Sequence, residues 1–81
     1  MKVNLDALTR SEEFVFKWQY RMLGDFGKAL VDCFCLADGD NFERLRLAFP
    51  VEGEGMYNYL RVHGWWDAVE RRAIVSEDEG E

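Results

Sequence analysis

Two cysteines and one histidine are the first candidates for thiol or metal chemistry in this chain. Cys33 and Cys35 are two positions apart, so on a helix they point about 200° away from each other and do not pair. A metal site needs further ligands, and His63 is the single histidine. Neither Ser11 nor Ser76 has neighbours that would activate it as a nucleophile. We therefore expect buried, reduced thiols, no catalytic residue, no cofactor and no metal site, which does not favour an enzyme.

The stretch GDFG, residues 24–27, contains two patterns that carry chemistry elsewhere. Asp25, Phe26 and Gly27 match the metal-binding triplet of protein kinases, and the paired glycines match the loop of KH-type RNA-binding domains. The chain is too short for a kinase and lacks its companion motifs, and the strands that surround a KH loop are not indicated. We expect the stretch to lie inside a helix. The alternative is a kink or short break near Gly24.

A helical pattern begins near residue 10 and continues through both glycines to residue 37. Thr9 and Glu12 have the T-x-x-E spacing of a capping box, which marks a helix start. Apolar residues then recur at intervals of three or four, the period of one helix face. The members of this first row, which we expect the rest of the chain to cover, are Val15, Trp18, Met22, Phe26, Ala29, Leu30, Cys33 and Ala37.

A second apolar row lies beside the first, with intervals that alternate between four and three as in a heptad seam. Gly27 lies in this row and would let another backbone approach closely. If three short helices cover only the first row, the second is a self-association surface and the chain is a homodimer. The alternative is a monomer whose long helix is wrapped on both sides. The second row consists of Phe16, Tyr20, Leu23, Gly27, Val31 and Phe34.

A basic stripe occupies the opposite side of the same helix. Its four cations fall within roughly 20° of one common direction on the helical wheel, on both sides of the glycines. This register favours a continuous helix. The stripe is either a solvated face or a binding surface for a nucleic acid or a small ligand. Its members are Arg10, Lys17, Arg21 and Lys28.

The predicted fold class is all-α: a small helical bundle built on one long N-terminal helix, about residues 10–37, with three short helices packed against it. Residues 1–75 would form a single domain, in which Gly64 separates the last two helices. Residues 76–81 are expected to be a disordered acidic tail.

The junctions between the short helices are predicted from turn chemistry. Gly39 is expected to end the long helix, and Asp40 or Asn41 to cap the next one. Pro50 is expected to close that second helix. The sequence VEGEG, residues 51–55, is then expected to be a connector.

The net charge of −6 is concentrated at the C-terminus. Of the 16 acidic residues, four lie in the last five positions, which leaves 12 acids against 10 bases in the rest of the chain. Direct DNA binding is disfavoured because no strong basic excess is present. No segment has the roughly 18 consecutive apolar residues of a membrane span, and the N-terminus has no signal-peptide core. A soluble, cytoplasmic protein is expected.

The aromatic content, 15% of the residues, is high for so small a core, and aromatic residues are enriched at protein interfaces. Trp65 and Trp66 are adjacent and point about 100° apart on a helix, so one should be buried and the other partly exposed to a partner. Tyr57 is the third candidate partner-binding residue. Alternatively, both tryptophans pack within the core or at its edge and neither binds a partner. We predict a non-enzymatic protein that binds another protein; nucleic-acid or small-ligand binding through the basic stripe is the alternative.

The segment FPVEGEGMYNYLRVHGWW, residues 49–66, follows a capped aromatic helix. In this layout, and in size, acidity and aromatic content, the chain resembles small orphan proteins of phage and prophage accessory regions. Many such proteins occupy a surface of a host protein, and some inhibit bacterial immune systems. The resemblance implies a host protein as partner and the host cytoplasm as location. It implies no specific site residue.

Overall fold

The computed structural model describes residues 2–75. This part of the chain forms five α-helices and a single two-residue β-ladder, which confirms the all-α class. The predicted acidic tail lies outside the described residues. None of the helices within residues 2–75 has both the length and the apolar character needed to cross a bilayer. The elements are β1 (Lys2–Val3), α1 (Arg10–Gln19), α2 (Asp25–Leu36), α3 (Gly39–Ala48), α4 (Pro50–Arg61), α5 (Trp65–Ala73) and β2 (Ile74–Val75).

The predicted helix from residue 10 to 37 is interrupted, so the prediction of one long helix was wrong. Arg21 adopts the left-handed conformation, with φ of 57°. The N–H of Met22 donates to the carbonyl oxygen of Lys17 at 2.7 Å, and the N–H of Arg21 donates to that of Trp18 at 3.2 Å. This is a Schellman motif, the hydrogen-bonded end of a helix, in which arginine occupies the position that glycine usually takes. Gly24 is then the N-cap of α2.

The interruption changes which apolar row faces the core. Phe16, Val31 and Phe34, from the predicted self-association row, are at most 2% exposed. Met22 and Phe26, from the row expected to be covered, are 53% and 69% exposed. The premise of the predicted dimer, an exposed second row, is therefore wrong. Residues 20–24 leave the helical path, so the rows of α1 do not continue in phase along α2.

The central helix is α4, which packs against α1 on one side and α3 on the other. It contains the VEGEG sequence, so the expected connector is helical, and Pro50 begins this helix instead of closing the previous one. A Cβ atom on Gly55 would lie 2.6 Å from the carbonyl oxygen of Ser11 in α1. A Cβ atom on Gly53 would lie 2.8 Å from the Cα atom of Arg46 in α3. Both glycines allow helices to approach α4 more closely than a side chain would permit.

Helix α1 is held at its N-terminus by the predicted capping box. The N–H of Glu12 donates to Thr9 Oγ1 at 3.2 Å, and the N–H of Thr9 donates to Glu12 Oε1 at 2.9 Å. Arg72 of α5 donates to the same carboxylate, from Nη1 to Oε1 at 3.1 Å. Burial of the Glu12 carboxylate opposes its ionisation, but the hydrogen bonds from Arg72 and Thr9 outweigh that effect and lower its pKa.

Helix α3 begins two or three residues earlier than the capping prediction placed it. Asp38 is its N-cap, with the side chain accepting a hydrogen bond from the N–H of Asn41 at 2.9 Å. Gly39 is the first residue of α3, and α2 has already ended at Leu36. The predictions that Gly39 ends the preceding helix and that Asp40 or Asn41 caps α3 were therefore wrong. Gly64 lies between α4 and α5 as predicted, with φ of 81°.

Candidate functional site

The predicted partner-binding aromatics Trp65, Trp66 and Tyr57 are largely engaged with their own chain. Trp66 packs near Phe16, with ring centroids 6.2 Å apart. Both tryptophans are half-buried, so the expectation that one is partly exposed holds and the expectation that the other is fully buried was wrong. Tyr57 is 37% exposed, and the guanidinium of Arg46 lies 4.5 Å from its ring centroid. These residues do not form one open surface.

The predicted basic stripe is divided by the break between α1 and α2. Lys17 on α1 lies near Glu13, with 3.7 Å between Nζ and a carboxylate oxygen. Lys28 on α2 lines a shallow depression that Asp32 also lines. A carboxylate therefore lies beside each of these two cations of the stripe. The stripe consists of Arg10 and Lys17 on α1, Arg21 in the break and Lys28 on α2.

Two of the three most exposed large apolar side chains of the described residues lie on the outside of α2. Leu36 is 86% exposed, and Met22 and Phe26 are more than half exposed. Ala29 and Cys33 lie between them and are also exposed. Met22 precedes α2, whereas the other four side chains recur within it at intervals of three and four, so they fall on one face that extends over about 15 Å at the helical rise. We call this surface the outer row: Phe26, Ala29, Cys33 and Leu36.

The inner face of the same helix forms much of the core. Leu30, Val31 and Phe34 are buried and cluster with Met56 of α4. The rings of Phe34 and Phe42 meet edge to face, with centroids 5.2 Å apart. These contacts hold α2 against the rest of the chain, so the outer row sits on a helix that is fixed in orientation from behind.

The outer row borders a groove between α2 and α3 with a volume of about 430 Å³. The groove shares Cys33 and Leu36 with the outer row, so the two surfaces are continuous. At the other end of the row, the ring centroid of Phe26 lies 6.0 Å from that of Phe49, which follows α3. The α2–α3 groove is lined by Cys33, Leu36, Ala37, Asn41, Arg44 and Leu45.

Two aspartates follow the edge of the outer row that lies away from α3. Asp25 and Asp32 are seven residues apart, so they lie within about 20° of each other around the helix. Both are exposed, and neither forms an ion pair within residues 2–75. Arg44 lies on the opposite edge, in the wall formed by α3. Lys28 lies between the two aspartates in sequence and lines the same depression as Arg21 and Asp32, so carboxylates and cations alternate along the α2 edge.

Both cysteines are free and exposed, so the prediction of buried thiols was wrong. Cys33 belongs to the outer row, whereas Cys35 points about 200° away from it around the helix. Partial desolvation raises the pKa of the Cys35 thiol, and the negative charge of Asp32 adds to the rise. Within residues 2–75, Asp, Glu, Cys and His side chains do not gather into a group of three that would hold a metal ion.

No family model, no curated protein and no solved structure matches this chain. The resemblance to small phage proteins stays a hypothesis.

Sequence reasoning found most members of the outer row but assigned them to the core. Phe26, Ala29 and Cys33 are all in the first predicted row, as is Met22 just before α2, and Leu36 is in neither row. A signal for the break was present, because Gly24 followed by an acidic residue is typical of a helix N-terminus. The periodicity of the rows across this point outweighed that signal in the prediction.

Proposed function

We propose that this chain is a non-enzymatic binding protein that acts by contact with another protein. The observation that carries the proposal is the outer row, a continuous apolar face with Phe26 and Leu36 largely open to water. Contiguous exposed apolar surfaces on soluble domains are typical of interaction sites. Aromatic and methionine side chains, such as Phe26 and Met22 just before α2, are enriched at the centres of protein interfaces.

The contrast between the buried inner face and the exposed outer face of α2 supports the same proposal. Its inner residues already bury themselves against α4, so the outer residues add nothing to the core of the folded chain. Exposed large apolar side chains promote aggregation unless they have another role. Contact with a partner supplies that role, because it removes the outer row from water and gains about 25 cal/mol for each Å² of apolar surface buried.

Nucleic-acid or small-ligand binding through the basic stripe is the second candidate function. A depression of about 460 Å³, lined by Arg21, Lys28 and the ring of Trp18, favours it. The Asp32 carboxylate in the same lining opposes binding of a phosphate backbone, because like charges repel. Protein contact is therefore the better supported of the two.

The resemblance to phage accessory proteins extends the proposal to a class of partner. In this form of the hypothesis the chain occupies a surface of a host protein in the host cytoplasm, such as a component of a bacterial defence system. The support is the resemblance in size, acidity and aromatic content together with the outer row.

The test compares two leucine substitutions in capture experiments from bacterial lysate. Leu36 in the outer row and Leu47 on α3 are 86% and 82% exposed, so Leu36→Ser and Leu47→Ser remove equally exposed side chains from different surfaces. We expect the unmodified chain and Leu47→Ser to retain the same protein, and Leu36→Ser to lose it. Equal retention by all three, or salt-dependent binding of nucleic acid with no protein partner, would contradict the proposal.

A further inference from the structure

We infer that residues 21–24 form a hinge that straightens into helix, so that α1 leaves its place on its own chain and takes the same place on a second copy. The partner is another molecule of this protein, and the product is a dimer that exchanges residues 2–20. The inference does not rest on the proposed function. Its support is the conformation of the hinge, the sequence on both sides of it and the contacts of α1.

The hinge holds a conformation that its residues do not prefer. Arg21 has a φ of 57°, a left-handed backbone that residues other than glycine rarely adopt. Gly24 has no side chain to bind the first N–H groups of α2. Arg21, Met22 and Gly24 are exposed and only Leu23 of the four hinge residues is half-buried, so little packing fixes the hinge. Short connections under strain favour exchange between copies, because straightening releases the strain.

The sequence across the hinge suits one continuous helix. Met22 lies four residues after Trp18 and four before Phe26, so the apolar spacing of a helix continues through the hinge. In a straight helix the last carbonyl groups of α1 and the first N–H groups of α2 bond to each other, whereas at separate helix ends they lack these partners. Gly24 opposes the change because glycine lowers helix propensity, so preferences of similar size act on the hinge in both directions.

The contacts of α1 are made with residues beyond the hinge, so a second copy supplies the same partners. The carboxylate of Glu12 accepts a hydrogen bond from Nη1 of Arg72 in α5 at 3.1 Å. The hydroxyl of Tyr20 donates to Glu70 Oε2, also in α5, at 2.9 Å. The length of α1 packs on α4, and β1 pairs with β2. An exchanged α1 makes these contacts with the other chain, so the cost of exchange lies mainly in the hinge and in bringing two chains together.

The exchanged dimer differs from the dimer that the sequence predicted. Phe16 enters the other chain together with α1 and packs there near Trp66, as it does within one chain. Val31 and Phe34 stay in the core because α2 keeps its place beside α4 of its own chain. The outer row therefore remains exposed and occurs twice in the dimer. Exchange of α1 and binding of a partner at the outer row are independent of each other.

Concentration decides between the monomer and the exchanged dimer. A short flexible linker gives the segment that it joins an effective concentration in the millimolar range, roughly 1 mM. A second copy competes when the chain approaches that concentration. The test therefore unfolds the chain in urea and refolds it over a concentration series up to about 1 mM, because α1 exchanges only after it has left its place. Sedimentation velocity measures the dimer Kd, and we expect the dimer fraction of the unmodified chain to rise along the series.

The first pair of variants changes the preference of the hinge at Arg21. Relative to glycine, alanine disfavours left-handed backbone and favours helix, and each preference is worth about a factor of five in one chain. Both hinges of a dimer contribute, so we expect the dimer Kd of Arg21→Ala to be at least about a hundredfold lower than that of Arg21→Gly. The unmodified chain should resemble Arg21→Ala, because arginine shares both preferences. Gly39→Ala, outside the hinge at the start of α3, should leave the Kd unchanged.

The second pair of variants blocks or permits the straight helix at Asp25. This is the first residue of α2, where proline fits, and Gly24 before it has the extended backbone that precedes a proline. In a straight helix the same proline removes a hydrogen bond and clashes with the carbonyl group of Arg21. We expect Asp25→Pro to stay monomeric where the unmodified chain dimerises, with an undiminished urea midpoint. Asp25→Ala, which suits both forms, should still dimerise.

A charge exchange identifies the segment that is transferred. Glu12→Arg in one copy and Arg72→Glu in another each place like charges between α1 and α5 of one chain. An exchanged dimer of the two variants restores both ion pairs, one in each orientation. When equal amounts are refolded together, we expect native mass spectrometry to show heterodimers in excess of random mixing. The control mixture is Glu13→Arg with Arg71→Glu, residues that do not pair with each other within residues 2–75, and it should mix randomly.

Several outcomes would overturn the inference. If Arg21→Ala and Arg21→Gly have the same dimer Kd, or if Asp25→Pro dimerises as readily as Asp25→Ala, the hinge does not straighten. The inference is equally wrong if the unmodified chain and Arg21→Ala stay monomeric up to about 1 mM. A dimer that Leu36→Ser dissociates and Asp25→Pro leaves intact would be a contact between two outer rows. Random mixing of the Glu12→Arg and Arg72→Glu chains would show that α1 is not exchanged.

Discussion

Helices α1 and α2 come from one continuous periodic segment, yet the protein uses them differently. Helix α1 is tied to its neighbours by polar contacts at fixed distances: Glu12 binds Arg72, and Ser11 donates to Glu54 Oε2 at 2.8 Å. Helix α2 follows Gly24, an N-cap residue that has no side chain to bind the first N–H groups of the helix. It is held by its inner apolar face. The first helix is enclosed by the fold, whereas the second leaves half of its apolar surface open.

The difference shows that apolar periodicity alone does not say which face of a helix is buried. Both helices carry two apolar rows, but α1 is covered by α4 and α5, and α2 only by its contacts with α1, α3 and α4 on one side. The Schellman motif between them makes this possible, because it lets α2 take an orientation that is independent of α1. The following predictions test this comparison, from the largest expected effect to the smallest.

The largest difference in the free energy of unfolding is expected between substitutions on the two faces of α2. Phe34→Ala empties a fully buried position, and we expect it to lower the free energy of unfolding by about 3–5 kcal/mol. Phe26→Ala removes the same side chain from a site that is 69% exposed, and we expect a loss of less than about 1 kcal/mol. Urea denaturation followed by circular dichroism measures both. Losses of similar size would show that the inner and outer faces are not divided as described.

The next effect concerns the packing of α1 on the central helix. Gly55→Ala places a Cβ atom 2.6 Å from the Ser11 carbonyl oxygen, so α1 or α4 must shift. Overpacking costs about 1–3 kcal/mol, which the higher helix propensity of alanine offsets by about 1 kcal/mol.

We therefore expect Gly55→Ala to lower the urea midpoint. The control is Gly39→Ala at the start of α3, where a Cβ atom meets nothing within 4 Å. It should be neutral or slightly stabilising. A stabilising Gly55→Ala would mean that α1 and α4 are not in close contact there.

The break itself is tested by the sign of a small difference at Arg21. Its left-handed conformation costs about 1 kcal/mol for residues other than glycine, so Arg21→Gly should be more stable than Arg21→Ala by about that amount. Inside a continuous helix the order is reversed, with glycine about 1 kcal/mol less stable than alanine. Thermal unfolding of the two variants measures the difference. If Arg21→Ala were the more stable of the two, α1 and α2 would form one continuous helix.

The smallest expected effect is the pH dependence of stability that Glu12 of α1 contributes. The pKa of Glu12 is lowered in the folded chain, so its ionised form stabilises the fold above the ordinary glutamate pKa of about 4.3. That contribution is lost as the pH falls from this value through the lower folded pKa. We expect the stability difference between the unmodified chain and Glu12→Gln to shrink as the pH is lowered from 7 to 3. Glu13→Gln, at a half-buried site near Lys17, should show a much smaller change.

The sequence by itself determined the features that depend on neighbouring residues. The all-α class followed from apolar intervals of three and four, and the start of α1 from Thr9 and Glu12, because a capping box is completed within one turn. Gly64 separates α4 from α5 because its positive φ suits glycine at any such junction. These features require no knowledge of distant parts of the chain.

Only the tertiary structure decided which apolar row is buried and which helix is central. Gly53 and Gly55 lower helix propensity locally, so their segment is predicted to be a connector, but they allow α3 and α1 to pack closely on α4, and that packing outweighs the propensity. At Arg21 the hydrogen bonds of the helix end outweigh the preference of arginine for right-handed backbone. The rows containing Phe26 and Phe34 are similarly apolar, so their assignment depended on contacts between residues far apart in the chain.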